Sequence, residues 1–365
     1  MSKGLAACVF AAVLIAVPLF AGPAGPGLPG AAGGLGISQF ATTRYLVLDD
    51  PGCVPGQVAL DPACWSASSG GVGGAGVPAA EDFALADGNS GAGPASQGGS
   101  MDVGALAFAG YGGVWYTGPY GLTTHSPSSG ILVQSGVLDT SGGQVQTREL
   151  FISGASVHVG TGFIADRGML AINRSGSLIL DHGYAYAGDV FIGDPTDSAS
   201  YVDLGSGYWN MTGNLTSYST SPLWNAGTGI FILSGLGTQT LGGGAPQIAL
   251  PDVRVSGGEK LVTTNLVTSN ATAVGLSPVV IRFAASTVRW TVRSGSVLSG
   301  SAASMLVLRG ADANTYWQMD ALGKRLSVVA HFVDVQRSNA KYGGAILAND
   351  GTNVDSGFNR NWKFR

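Results

Sequence analysis

Phe151-Ile152-Ser153-Gly154-Ala155-Ser156-Val157-His158-Val159-Gly160 opens a run that continues to Gly258 and decides the fold. Within it come Ser177-Leu-Ile-Leu-Asp-His-Gly183, Asp189-Val-Phe-Ile-Gly-Asp194, Ser200-Tyr-Val-Asp-Leu-Gly-Ser-Gly207, Gly229-Ile-Phe-Ile-Leu-Ser-Gly235 and Asp252-Val-Arg-Val-Ser-Gly-Gly258. Each piece is a short segment with β-branched, aliphatic or aromatic residues at alternate positions, closed by Gly, Asp or Ser. That is the pattern of half-buried strands joined by tight turns. The strands recur at intervals of about ten residues and in pairs at about twenty, and no helical period competes with them. The expectation is an all-β chain folded as a right-handed parallel β-helix, a β-solenoid of stacked coils.

Composition agrees with that reading. Gly supplies 59 of 365 residues and charged residues only 11%, where ordinary domains have about 7% Gly and about 25% charge. A hydrophobic content of 45% lets the chain bury enough surface to offset ordering entropy, so it is not a disordered glycine-rich linker. Uncharged Ser, Thr and Asn suit side chains stacked one above another. A net charge of −4, with Lys and Arg mildly concentrated after Arg282, gives no electrostatic footprint for nucleic acid.

Taken in order, residues 1–24 carry Lys3, a long apolar run broken by Pro18, and then small residues. This is the layout of a secretory signal peptide cleaved after Ala21 or Ala24, or of an uncleaved hydrophobic anchor; after cleavage no membrane contact is expected. Residues 25–42 form a Gly/Pro-rich linker. Gly27, Gly30, Gly33 and Gly36 keep a collagen-like spacing that slips at Gly25, which reads as a flexible or polyproline-like tether or as a short trimeric stub. Residues 43–144 then hold an N-terminal cap and the first coils, 145–345 the solenoid of eight to ten coils, and 346–365 a C-terminal cap ending in Trp362 and Phe364. Of three cysteines, Cys53 and Cys64 bracket an insertion-like loop. They read either as a disulfide formed in an oxidising compartment or as two free thiols. No zinc-ligand spacing accompanies them, and no metal or cofactor is expected.

Several motifs carry a resemblance: the Tyr45 strand, Trp65-Ser66, the Gly-rich turn to Val77-Pro78, Asp82, and Asp87-Gly88-Asn89-Ser90. It continues in Val202-Asp-Leu-Gly-Ser-Gly-Tyr-Trp-Asn-Met-Thr-Gly213, Trp224-Asn-Ala-Gly-Thr-Gly229, Ser234-Gly-Leu-Gly-Thr-Gln-Thr-Leu-Gly-Gly-Gly244 and Asp355-Ser-Gly-Phe-Asn-Arg-Asn-Trp-Lys-Phe364. The chain resembles uncharacterised phage-encoded and bacterial surface β-solenoid proteins over most of residues 43–365. It departs from them at the Cys53–Cys64 insertion and at Ala84 and Ala86. The resemblance implies a β-solenoid in an extracellular or virion setting and implies no activity.

An open solenoid end exposes unpaired strand edges, so Trp65 and Phe83 are expected to cap the first coil. Tyr111–Tyr120 packs four aromatics into ten residues. It reads as an aromatic turn or as a sugar-stacking platform built on Trp115, Tyr116 and Tyr120. A polysaccharide-cleaving enzyme would need carboxylates converging on one face. The candidates are Asp181 beside His182, Asp189, Asp194, Asp197 and Asp203, with Asp181 and Asp203 spaced to align on adjacent rungs. Asp at a strand end is above all a turn residue. No Gly-x-Ser-x-Gly elbow, His-Glu-x-x-His or P-loop occurs, so common hydrolase, zinc-protease and nucleotide chemistry has no motif here. His158 and His331 read as strand-face residues. Asp312, Asp320 and Asp350 lack the repeat that binds calcium in β-rolls. Asn173, Asn210, Asn214 and Asn270 open glycosylation sequons, relevant only in a glycosylating host.

The function expected from these features is non-enzymatic: an extracellular structural or adhesive protein, a cell-surface fibre, or a phage virion fibre or decoration. Self-association as a trimer or filament is expected, with a surface polysaccharide or receptor as a possible partner. The rival readings are a carbohydrate-active β-helix enzyme and a sugar-binding module.

Overall fold

The computed structural model describes residues 40–126, 130–195, 199–219, 224–225, 228–293, 295–322 and 327–364. The signal-like segment with Cys8, the linker up to residue 39 and Asp197 lie outside them. The described chain is nearly all β, a parallel β-solenoid of about 12 turns. It divides into two compact units, Met1–Phe151 and Ile152–Arg365. Its only described helical pieces are single 3-10 turns at Pro55–Gln57 and Pro62–Cys64.

Both units use the same coil of three strands, one per face. In the first unit one face runs Thr43–Leu46, Phe83–Asp87, Ala105–Ala109 and Ile131–Val133, each strand parallel to the next. A second face holds Met101–Val103, Gly121–Thr124 and the start of Gln144–Ser153. A third holds Ala95–Ser96, Val114–Tyr116 and Val137–Asp139. In the second unit the longest ladder passes through Tyr184–Ala187, Tyr208–Met211, Ile230–Leu233, Asp252–Val255 and Ala271–Ala273 in unbroken register.

The alternation read in the sequence is the inside–outside alternation of these strands. Ala185, Trp209, Phe231 and Val253 are successive members of one inward column, all buried. Small Ala185 beneath large Trp209 makes room for the indole, whose edge meets the Phe231 ring at 5.8 Å. Further on, Phe283 stacks on Trp317 at 4.3 Å and packs on Trp290 at 5.9 Å, all three wholly buried. Burying an aromatic side chain of this size removes about 150–250 Å² from water and dominates core energetics.

The corners explain the Gly, Asp and Ser punctuation. Gly160, Asp181 and Gly205 occupy equivalent corners of successive turns, with φ of +60°, +56° and +52°. Each turn's amides bond to the corner below: His182 N donates to Gly160 O and Ser206 N to Asp181 O. A Cβ at Gly205 would lie 2.4 Å from Asp181 O, so this corner requires glycine, while Asp is among the few other residues that accept left-handed backbone.

Both outermost turns are closed. In the first unit Trp65–Ser66 pairs antiparallel with the free edge of Thr43–Leu46. Trp65 is fully buried and its Nε1 donates to Val58 O at 2.7 Å. The loop carrying this strand is tied by a Cys53–Cys64 disulfide. Trp65 thus caps the first coil as expected, but Phe83 does not. Phe83 lies on the opposite side of its strand from buried Ala84 and Ala86 and stacks on Phe40 at 5.5 Å. Phe83 sits two positions from Leu85, and alternation puts both on that side.

In the second unit the last strand, Trp362–Lys363, pairs with Ile346–Leu347, and Trp362 stacks on Phe364 at 6.0 Å. Side-chain amides finish the closure. Asn353 accepts from Val333 N and donates to Ala330 O, and Asn359 accepts from Ser338 N and donates to Val335 O. Each Asn presents one acceptor and one donor to the strand below, as a further backbone residue would.

Candidate functional site

The carboxylates proposed for catalysis lie in corners. Ile179 is opposite Asp203 across the ladder, which leaves Asp181 two positions further along, at the level of Gly205. The two side chains occupy adjacent rungs without stacking, a correction to the alignment their spacing suggested. Two residues of strand correspond to about 6.5 Å of displacement. Asp203 Oδ1 accepts from Gly205 N at 2.9 Å, bonding its own turn. Asp181 is held in left-handed backbone, and its carboxylate meets His182 Nδ1 at 3.0 Å with both side chains more than half exposed. Asp189 Oδ1 accepts from the backbone and side-chain nitrogens of Asn214, and Asp194 is buried. General acid–base or nucleophilic work at a sugar needs two carboxyls facing one bond. Asp181 and Asp203 serve separate turns instead.

The aromatic platform is split by the strand it sits on. Trp115 is wholly buried, packed against Trp65 at 6.3 Å and edge-on to Phe108 at 5.6 Å. It offers no face to a ligand, and its place in the platform is corrected accordingly. Tyr111 is also buried; its hydroxyl donates to Gly93 O, and burial pushes its pKa up to about 12. Tyr116 and Tyr120 remain outside, 40% and 38% exposed. Val114, Trp115 and Tyr116 alternate out, in, out along a single strand, so the cluster never shared one surface.

The other polar candidates are occupied locally. His158 stands between buried Val157 and Val159 on the opposite side of its strand. His331 Nδ1 pairs with Asp350, and this contact with the Thr352 amide holds the Asp350 carboxyl down at about 2. Asp312 accepts from the Asn314 and Thr315 amides, which keep its pKa below the usual range. Asp320 lies 3.9 Å from Arg289. Cys53, Asp61 and Cys64 are the described residues grouped closely enough to suggest a metal, but both sulfurs are committed to the disulfide. Of the sequon residues, Asn173 is buried, Asn214 and Asn270 bind Asp189 and Asp252, and Asn210 accepts from Ser234 Oγ.

Two features were not anticipated from the residues. The first is an outward aromatic column in the second unit, where Phe163, Tyr184, Tyr208 and Ile230 are successive ladder partners. The Phe163 and Tyr184 rings stack at 5.3 Å and Tyr208 is 43% exposed. The signal was present: Tyr184 and Tyr208 each open a strand one turn apart, on the opposite parity from Ala185 and Trp209.

The second is Lys260, wholly buried and donating to Gly235 O at 2.9 Å. Burial pushes its pKa down to about 8. Directly below it in the ladder is buried Gln239, whose amide bonds Gly235 N, Met211 O and Gly213 O. Together these two side chains satisfy both backbone groups of Gly235 and tie that bend to the turn below. Nothing local in the pattern Glu-Lys-Leu-Val marks Lys260 as buried.

No helix among the described residues is long and apolar enough to cross a membrane. No protein-family model matches the chain, and no match is found among curated proteins or solved structures.

Proposed function

We propose that the chain is a non-enzymatic structural or adhesive component, displayed outside the cell or on a virion as part of a fibre or decoration. The observation that carries this reading is that each unit covers a ladder edge with a short cap, an antiparallel strand on Thr43–Leu46 in one and two short strands fastened by Asn amides in the other. A ladder with its edges occupied is protected against strand addition and proteolytic fraying, properties that suit long service in an exposed setting. Two of the candidate carboxylates support the same reading, because Asp203 bonds its own turn and Asp189 bonds Asn214 of the next turn. The low charge and the Gly, Ser, Thr and Asn surface fit it as well.

Electron micrographs of the native cell surface or particle, with gold-labelled antibody to this chain, test the reading. Labelled fibres or virion appendages are the expected result. A purified monomer that shortens a host polysaccharide, and loses that activity in Asp181→Asn or Asp203→Asn, overturns it.

The Phe163–Tyr184–Tyr208 column favours a second reading, contact with a neutral glycan. Rings repeated at the rung spacing line their edges into an apolar strip along which a neutral glycan can lie. Retention of the protein on an immobilised neutral polysaccharide, lost in Tyr184→Ser/Tyr208→Ser, would support it.

A further inference from the structure

The net charge of −4 hides a segregation along the chain. Residues 40–151 carry nine Asp and Glu against Arg44 and Arg148 alone, whereas residues 282–365 carry eleven Lys and Arg against five Asp. Part of each sign lies at a cap. At the first, Asp49 and Glu81 are exposed, and Arg44, the cation of this cap, lies 3.9 Å from buried Asp82. Asp50 is kept ionised by the Gly73 and Gly52 amides, which lower its pKa. The same loop region exposes apolar side chains: Val54, Leu60 and Val72, the last 83% exposed.

At the second cap the acids are already engaged. Arg309 pairs with Asp334 at 2.5 Å, His331 pairs with Asp350, and Asp355 accepts from Gly357 N and Asn359 Nδ2. The surplus is positive. Arg360 and Lys363 are exposed, and the Arg337 guanidinium lies 4.4 Å from the Phe358 ring centre and 5.4 Å from that of Tyr316. Phe358 is 63% exposed and has a φ of +62°. An aromatic residue in left-handed backbone is held there at a conformational cost, which directs attention to what the ring is displayed for.

We propose that the acidic cap of one molecule docks on the basic, Phe358-bearing cap of a second copy of the same chain. The inference rests on the fibre reading above and names the contact that would build the fibre. The proposed contact is between side chains, not strand addition. The exposed Arg360 and Lys363 head groups present N–H donors to carboxylates. Val54, Leu60 and Val72 supply apolar area opposite Phe358 and Val354. Because the two surfaces differ, each docking leaves one cap of each kind unused, and the contact propagates unless the rotation closes a ring.

Sedimentation velocity of the full mature chain, at about 20 mM and about 500 mM NaCl, tests this, since added salt shortens the range of exposed charges several-fold. Concentration-dependent oligomers at low salt that dissociate at high salt are expected. Two variants are then compared, Asp49→Lys/Glu81→Lys at the acidic cap and Arg360→Glu/Lys363→Glu at the basic one. All four positions are exposed, and circular dichroism checks that each variant folds.

Each variant alone is expected to associate at least about tenfold more weakly, and an equimolar mixture to recover association, because the reversed caps match each other. A monomer at every salt concentration, oligomers insensitive to salt, or variants that assemble like the native chain each overturn the docking. So does binding of the basic cap to a sulfated polysaccharide without self-association, which assigns that cap to a polyanion. Labelled fibres formed by the charge-reversed chains refute the docking and leave the fibre reading intact. Salt-dependent docking of a chain absent from any native fibre does the opposite.

Discussion

The two caps solve one problem with different materials. The first unit closes its outermost turn with backbone: Trp65–Ser66 runs antiparallel along Thr43–Leu46, under a loop fastened by Cys53–Cys64. The second unit fastens its last described turn largely with side chains: between the short strands Val354–Asp355 and Trp362–Lys363, Asn353 and Asn359 bond the corners of the turn beneath, and Asn361 Nδ2 bonds Ala340 O and Gly344 O. The difference teaches where stability comes from at a solenoid end. A covalent loop gains by restricting the unfolded chain, whereas an amide cap gains only what its hydrogen bonds and packing return.

Four experiments break or sharpen this contrast. Trp65→Ala should cost about 3–5 kcal/mol, the range for deleting a large buried aromatic, measured by urea unfolding of the first unit. Trp362→Ala at the other end should cost less, because its ring lies at the margin of the core. Replacing both Cys53 and Cys64 by Ala should cost about 3 kcal/mol by the loop-entropy relation. Amide exchange should rise in the first unit while the Asn-capped turns keep their protection. Asn353→Ala or Asn359→Ala should each cost about 1–3 kcal/mol through the backbone groups left unmatched. Faster exchange is expected at Val333 for the first and at Ser338 for the second.

The smallest effect is pH-dependent. The Asp350 pKa in the folded chain, about 2, lies below the ordinary 3.8. A depressed carboxylate stabilises the fold above its unfolded pKa and loses that contribution as pH falls through the folded value. Acidification from about pH 5 to pH 2 should therefore loosen the second cap, by less than about 1 kcal/mol because the pair is solvent-exposed. Asp350→Asn should remove that pH dependence; a full acid response in this variant would assign the effect elsewhere.

The coil was legible because its signals are local. The pattern around Val157, Leu178, Val202 and Phe231 states both the strand and its inward side, and Gly160, Asp181 and Gly205 mark the corners. Trp115 departs from the platform reading for an equally physical reason: proximity in sequence does not make a shared surface, because alternation sends neighbours to opposite sides of a strand. Asp181 and Asp203 were placed on adjacent rungs correctly, but their stacking depends on register, which a count of residues between them does not determine. The outward column of Phe163, Tyr184 and Tyr208 needs the same register. Lys260 could not be read at all, because its burial depends on the Gly235 carbonyl and on Gln239 one turn away.

The amide cap has a mechanical consequence. A chain built of turns that touch only their neighbours unravels from its weaker terminus, one turn at a time. Pulled at both termini, the second unit should peel from Trp362 inward, each released turn lengthening the tether by a discrete step. The disulfide-tied loop around Trp65 would yield later. Under load the molecule therefore behaves as a ratcheted spring with a built-in direction, and its fuse is a pair of asparagines.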